Sequence, residues 1–196
     1  MIRTSTIFLV LMTGVTCFGG IDLTPSITNY TNSGMAIQQL VFKHDNNRIE
    51  YEPPAGWRFR GEPRQLRLNA RDKEFAEAVI DAVPLQKPQP LDEKVMKTLE
   101  EQFVASVPQG SQSVTVVRAE QNPVLLDGNR SFEVTVSYQL MGNKFLRSAL
   151  FVNLADTQLV FRLTARQDDF EPLHREFKIS ISSWHWSRET ASQPSS

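Results

Sequence analysis

SFEVTVSYQLMGNKFLRSALFVNLADTQLVFRLTAR, residues 131–166, decides how this chain folds. In its first third Phe132, Val134, Val136, Tyr138 and Leu140 share one face, while Glu133, Thr135, Ser137 and Gln139 share the other. That alternation predicts a half-buried strand with one solvated or helix-facing side. Gly142-Asn143 turns the chain into Phe145 to Leu154, apolar on both faces as a central strand is. Asp156-Thr157 turns it again into Leu159, Phe161, Leu163 and Ala165. Three strands joined by short turns make an antiparallel meander.

Downstream, Phe170, Leu173, Phe177, Ile181 and Trp184 recur every three or four residues, the stripe of a helix lying on that sheet, with Asp168 or Asp169 as its cap and Pro172 in its first turn. Phe177, Ile179 and Ile181 also alternate, which leaves a closing strand as the other reading. Upstream, Val114 to Arg118 reads as a strand before the Asp127-Gly128-Asn129 turn. A helix from Asp92 to Val107 is marked by Val95, Leu99 and Phe103, with Met96 alongside, and is stopped by Pro108 and Gly110. Phe75 to Val83 alternates but is rich in alanine and glutamate, and is read as a strand. Gln65 to Asn69 is a strand with Leu66 and Leu68 on one side and Arg67 on the other. Leu40-Val41-Phe42 and Arg48 to Tyr51 are short apolar or mixed stretches, the second ended by Pro53-Pro54.

Residues 22 to 34 carry turn formers with little period, so 20–36 is read as a flexible leader, 37–187 as the domain and 188–196 as a disordered tail. Ile7 to Phe18 is an apolar run too short to span a bilayer, and Cys17 and Gly19 are small residues placed for cleavage before Gly20. Residues 1–19 therefore read as a secretory signal and the protein as extracytoplasmic, periplasmic or secreted. An uncleaved anchor is the other reading, though no basic stop-transfer cluster follows Gly20. Gly14, Val15 and Thr16 before Cys17 depart from a lipobox, which argues against lipid anchoring there. Cys17 is the one cysteine, so a chain cut after Gly19 has no thiol for disulfide, metal or catalysis.

The order of elements brings two short motifs into place. Tyr51-Glu52-Pro53-Pro54-Ala55-Gly56-Trp57 follows the early strand, and Ser182-Ser183-Trp184 ends the last helix. Over about residues 48 to 186 the chain resembles the family of PsbP, Mog1 and the DcrB-like bacterial lipoproteins, in which a Tyr-x-x-Pro-x-Gly-Trp segment opens the domain and a helix with a Ser-aromatic ending closes it. The resemblance implies a three-layer α/β/α sandwich, a mostly antiparallel sheet with helices on both faces, used as a non-catalytic binding or assembly module. Its members serve processes as different as photosystem assembly and nuclear transport, so the shared fold does not transfer a job.

Composition narrows function further. A hydrophobic fraction of 40% with 22% charged residues fits a globular chain rather than a disordered one. Loss of Arg3 with the signal leaves 20 basic against 22 acidic side chains, a poor match to nucleic acid. No nucleophile elbow, His-Glu-x-x-His helix, glycine-rich phosphate loop or calcium loop is present, so no catalytic residue, cofactor or metal is assigned. The nearest metal-like group is Asp168, Asp169, Glu171 and His174, which reads as helix capping in preference to ligation. Trp184 is read as core and Trp186 as terminal packing, with a partner-facing ring as the alternative. Arg58, Arg60, Arg64, Arg67 and Arg71, with Trp57, form the expected partner or anion-binding surface; a charged edge that discourages aggregation is the competing explanation. The expected function is that of an exported binding or assembly-accessory protein of the cell envelope, its partner another protein or an envelope component. A small secreted hydrolase with dispersed acidic and histidine residues is the alternative.

Overall fold

The computed structural model describes residues 20–45 and 47–188, without the side chains of Asn32, Met35 and Arg188. The meander forms as expected: β8 (Ser131–Leu140), β9 (Asn143–Asn153) and β10 (Thr157–Arg166) pair antiparallel in register. On one side of it the sheet continues through β7 (Gln112–Gln121). On the other it continues through β6 (Glu77–Pro84), β5 (Gln65–Asn69) and β4 (Arg58–Glu62), giving a seven-stranded antiparallel sheet in the order β4-β5-β6-β10-β9-β8-β7. A second antiparallel sheet has the order β1-β2-β3-β11, built from β1 (Asp22–Asn32), β2 (Met35–His44), β3 (Asn47–Tyr51) and β11 (His185–Arg188).

The two helices cover opposite faces of the large sheet. Helix α1 (Glu93–Ala105) is capped by Asp92, whose carboxylate accepts the Val95 N–H at 2.8 Å, and buries Met96, Leu99 and Phe103. These pack on Phe132, Val134, Val136, Ala149, Phe151 and Val160, every second residue of the meander. Helix α2 (Gln167–Ser182) lies on the alternate residues, Leu150, Val152, Phe161 and Leu163, and shares that larger core with the inward rows of the small sheet. The expected α/β/α layering with helices on both faces is thus present, and the small sheet adds to the α2 layer. No helix among the described residues is long and apolar enough to cross a membrane.

Three readings of the sequence are corrected. The stretch expected as a leader is strand β1, joined to β2 by a two-residue turn at Ser33 (φ 51) and Gly34 (φ 81). Both positive dihedrals match the hairpin geometry that continues strand twist. Ile21 and Leu23 are buried, and Gly61 on β4 lets β1 approach so closely that a Cβ there would lie 2.4 Å from the Leu23 carbonyl oxygen. Strand β8 takes the helix-facing alternative of its expected pattern, with Glu133 and Thr135 buried beneath α2. Helix α2 starts at Gln167 without a side-chain cap; Asp168 and Asp169 sit in its first turn, where they complement the helix dipole, and Pro172 falls in the second turn. The chain after α2 adds a short strand, β11, on the small sheet. The expected signal at 1–19 and most of the expected tail lie outside the described residues.

Candidate binding surface

Because α1 rests on β7, β8, β9 and Val160 of β10, the same side of β6, β5 and β4, with the Arg162 end of β10, stays open beside it. Alternation decides which residues stand there. Phe59 and Gly61 face inward on β4, Leu66 and Leu68 on β5, Ala78 and Ile80 on β6, and Phe161 and Leu163 on β10. The open face therefore receives Arg58, Arg60 and Glu62, then Gln65, Arg67 and Asn69, then Glu77, Val79 and Asp81, then Arg162. Strand register aligns one row across four strands: Arg60 opposite Arg67, Arg67 opposite Val79, and Val79 opposite Arg162.

A chain of polar contacts holds this row in place. Arg162 pairs with Asp81, whose other oxygen accepts from Gln65 Nε2 at 2.7 Å. Gln65 Oε1 accepts from Arg67 Nε at 2.8 Å, and Arg67 pairs with Glu77 at 2.9 Å. The guanidiniums are thus presented in fixed orientations, at little further entropic cost when a partner arrives. Arg60 reaches Glu62 at 3.3 Å with both side chains well exposed, while Arg58, Arg64 and Arg71 have no ion-pair partner among the described residues. Two concavities flank the row. One, of about 650 Å³, is lined by Arg58, Arg60, Asn69, Asp72 and Lys73. The other, of about 430 Å³, runs between the sheet and α1 and is lined by Arg64, Asp81, Leu99, Phe103, Val160 and Arg162. At its side Arg147 lies 5.2 Å over the Phe103 ring and donates to the Ser106 carbonyl at 2.7 Å. Burial and the neighbouring Arg162 charge hold the Arg147 pKa below its ordinary value.

The structure brings together Arg58, Arg60 and Arg67 on one face, with Arg64 at the adjoining turn and Arg71 in the loop after β5. Trp57 does not join them. It is buried on the opposite side, stacked on Phe177 of α2 at 6.4 Å with its Nε1 donating to Glu176 at 3.3 Å. Arg162 and its partners Asp81 and Gln65 were missed by the sequence reading, because Arg162 stands alone in a greasy strand. Its offset by one from Phe161 and Leu163 is the signal that puts it on the other face. The Asp168, Asp169, Glu171 and His174 group also disperses: Asp169 bonds Lys73 at 2.6 Å, Glu171 lies 3.7 Å from Arg118, and His174 turns inward to Glu133. Trp184 is core, and Trp186 packs against it edge-on at 6.1 Å.

No family model matches this sequence, and no curated protein does. Solved structures do. LpqN of Mycobacterium tuberculosis, described as involved in cell envelope biogenesis, aligns with a TM-score of 0.51 at 14% identity over 85% of this chain and 91% of that one. The cyanobacterial PsbP of Synechocystis sp. PCC 6803 aligns with a TM-score of 0.48 at 14% identity, covering 88% and 95%. A Pseudomonas aeruginosa protein of unknown function aligns with a TM-score of 0.45 at 15% identity, covering 84% and 99%. The relationship is one of fold alone: at 14% identity the likeness to LpqN shows a shared architecture.

Proposed function

We propose that this chain is an exported, non-catalytic accessory protein of the cell envelope, and that it binds an acidic segment of another envelope protein on the open arginine face of its large sheet. The observation that carries this reading is the cross-strand row of Arg60, Arg67 and Arg162 on a sheet face that α1 leaves uncovered, with Arg67 and Arg162 held by a polar network. Preoriented guanidiniums suit carboxylate recognition, which rewards fixed bidentate geometry. Export is supported by the apolar run at Ile7 to Phe18, and LpqN, a fold relative, is described as involved in cell envelope biogenesis.

Site-specific photocrosslinking tests the reading. A crosslinker in place of Arg60 captures a discrete envelope partner, and the Arg58→Glu/Arg64→Glu variant loses that adduct. A crosslinker in place of Ile179, exposed on α2, does not capture it. Identical adducts from both positions, or an adduct indifferent to the charge reversals, rule the surface out.

A further inference from the structure

His44 ends strand β2 in the inward row that begins with Leu40 and Phe42, so its ring is delivered to the rim where the small sheet meets the large one. Asp45 follows in the turn to β3, and Asp156 stands in the turn between β9 and β10. His44 Nε2 lies 3.8 Å from Asp156 Oδ2, too far for a hydrogen bond. One ligand atom from each of His44, Asp45 and Asp156 lies within 4.8 Å of the others.

Two independent observations show that this rim is short of partners. Both ring nitrogens of His44 are excluded from water and make no hydrogen bond, although any imidazole carries at least one N–H. Thr157, 2% exposed and next to Asp156, likewise has a buried hydroxyl with no partner, and with Asp156 it lines a cavity of about 180 Å³. Buried polar groups are nearly always satisfied, so an imidazole without a partner at either nitrogen, beside two carboxylates, marks a missing component.

We propose that His44, Asp45 and Asp156 bind one divalent transition-metal ion of the Zn²⁺ type. Donors about 2.0–2.2 Å from a common ion lie roughly 3–4 Å from each other, which is the His44 to Asp156 spacing. One imidazole with two carboxylates favours such an ion over Ca²⁺ or Mg²⁺, which take oxygen ligands. Three protein ligands leave a position for water. The ion ties the β2–β3 turn of one sheet to the β9–β10 turn of the other.

Calorimetric titration of the full exported chain with ZnCl₂ shows one saturable site, and CaCl₂ does not fill it. Asp45→Asn keeps a residue type tolerant of the positive φ of 52° at that turn, so it retains the fold, and it weakens zinc binding at least tenfold, as does Asp156→Asn. Zinc raises the unfolding midpoint of the wild type and not of these variants. In ¹H–¹⁵N spectra of the imidazoles, zinc moves the His44 resonances and leaves His174 and His185 in place. Absence of a saturable site, affinity unchanged in both aspartate variants, or movement of His185 instead of His44 overturns the proposal.

Discussion

The imidazole of His174 on α2 meets the carboxylate of Glu133 on β8 at 2.5 Å, both side chains at most 5% exposed, and Lys178 reaches the second carboxylate oxygen at 3.1 Å. A glutamate in the middle of a buried strand is tolerated because two cationic or donor groups from one helix meet it. Burial pushes the Glu133 pKa up, and the hydrogen bond and charge of His174, with Lys178, more than reverse this, so it ends below its ordinary value of 4.5. A depressed carboxyl contributes stability that is fully present above 4.5 and is lost as pH falls through the lower folded value. Glu133→Gln is expected to cost about 3 kcal/mol at pH 7, because it leaves Lys178 without its counter-charge and His174 without its carboxylate partner. Urea unfolding from pH 7 down to pH 3 checks this: the gap between wild type and variant narrows below pH 4.5. A constant gap contradicts it.

All three tyrosines are held above their ordinary pKa of 10, for different reasons. Tyr30 donates to Glu52 at 2.7 Å, which would be lost on ionisation. Tyr51 is raised by full burial, which its hydrogen bond with Ser180 at 2.9 Å only partly opposes, and Tyr138 is raised chiefly by burial. Ultraviolet titration of the native protein is expected to show no phenolate forming with a midpoint at 10, and all three forming there in 6 M guanidinium. A native tyrosine ionising at its ordinary value would show that its described contact is absent in solution.

How much of this was legible follows from where side chains alternate. The meander and both helices were readable because Phe132 to Leu140, Leu159 to Ala165, and Leu99 with Phe103 repeat at the period of the element they form. Strand β1 was not, since beyond Ile21 and Leu23 its residues are exposed and its pairing with β2 is made by backbone rather than by an apolar stripe. The arginines of β4 and β5 were visible as a cluster, but one dimension cannot place them beside Arg162, which is about a hundred residues away along the chain. Trp57 was grouped with Arg58 by adjacency, and adjacency on a strand entry puts neighbours on opposite faces. His44 and Asp156 meet only because two turns from different sheets share a rim.

Trp184 closes the core between the two sheets. It stacks on Phe42 at 5.6 Å, tilts against Tyr51 at 5.6 Å and meets Phe161 edge-on at 5.4 Å, with 2% of its surface exposed. Its Nε1 is buried without a partner, so the indole serves by volume and not by hydrogen bonding. Trp184→Ala is expected to cost about 4 kcal/mol, and Trp184→Phe about half of that, because a ring persists and the orphan donor is removed. Chemical denaturation of both variants measures the ratio. Equal losses would mean that the nitrogen, rather than the ring, is what the core needs.

Gly61 is the position at which the two sheets are pinned together. A Cβ on it would lie 2.3 Å from Pro25 Cδ and 2.4 Å from the Leu23 carbonyl oxygen, and Leu23 N–H is itself bonded to the Pro63 carbonyl at 3.0 Å. The proline ring can shift, but the carbonyl belongs to backbone fixed two residues from β4's own turn. Gly61→Ala is therefore expected to destabilise by about 2 kcal/mol or more, in spite of alanine's advantage over glycine in the unfolded chain. Combining it with Pro25→Ala relieves only part of the loss, since the backbone contact remains. Unfolding midpoints of the single and double variants decide the matter, with hydrogen exchange at β1 reporting where the strain goes. Full rescue by Pro25→Ala would show that the ring alone enforces glycine, and an unchanged midpoint in Gly61→Ala would show that β1 does not lie on β4 as described.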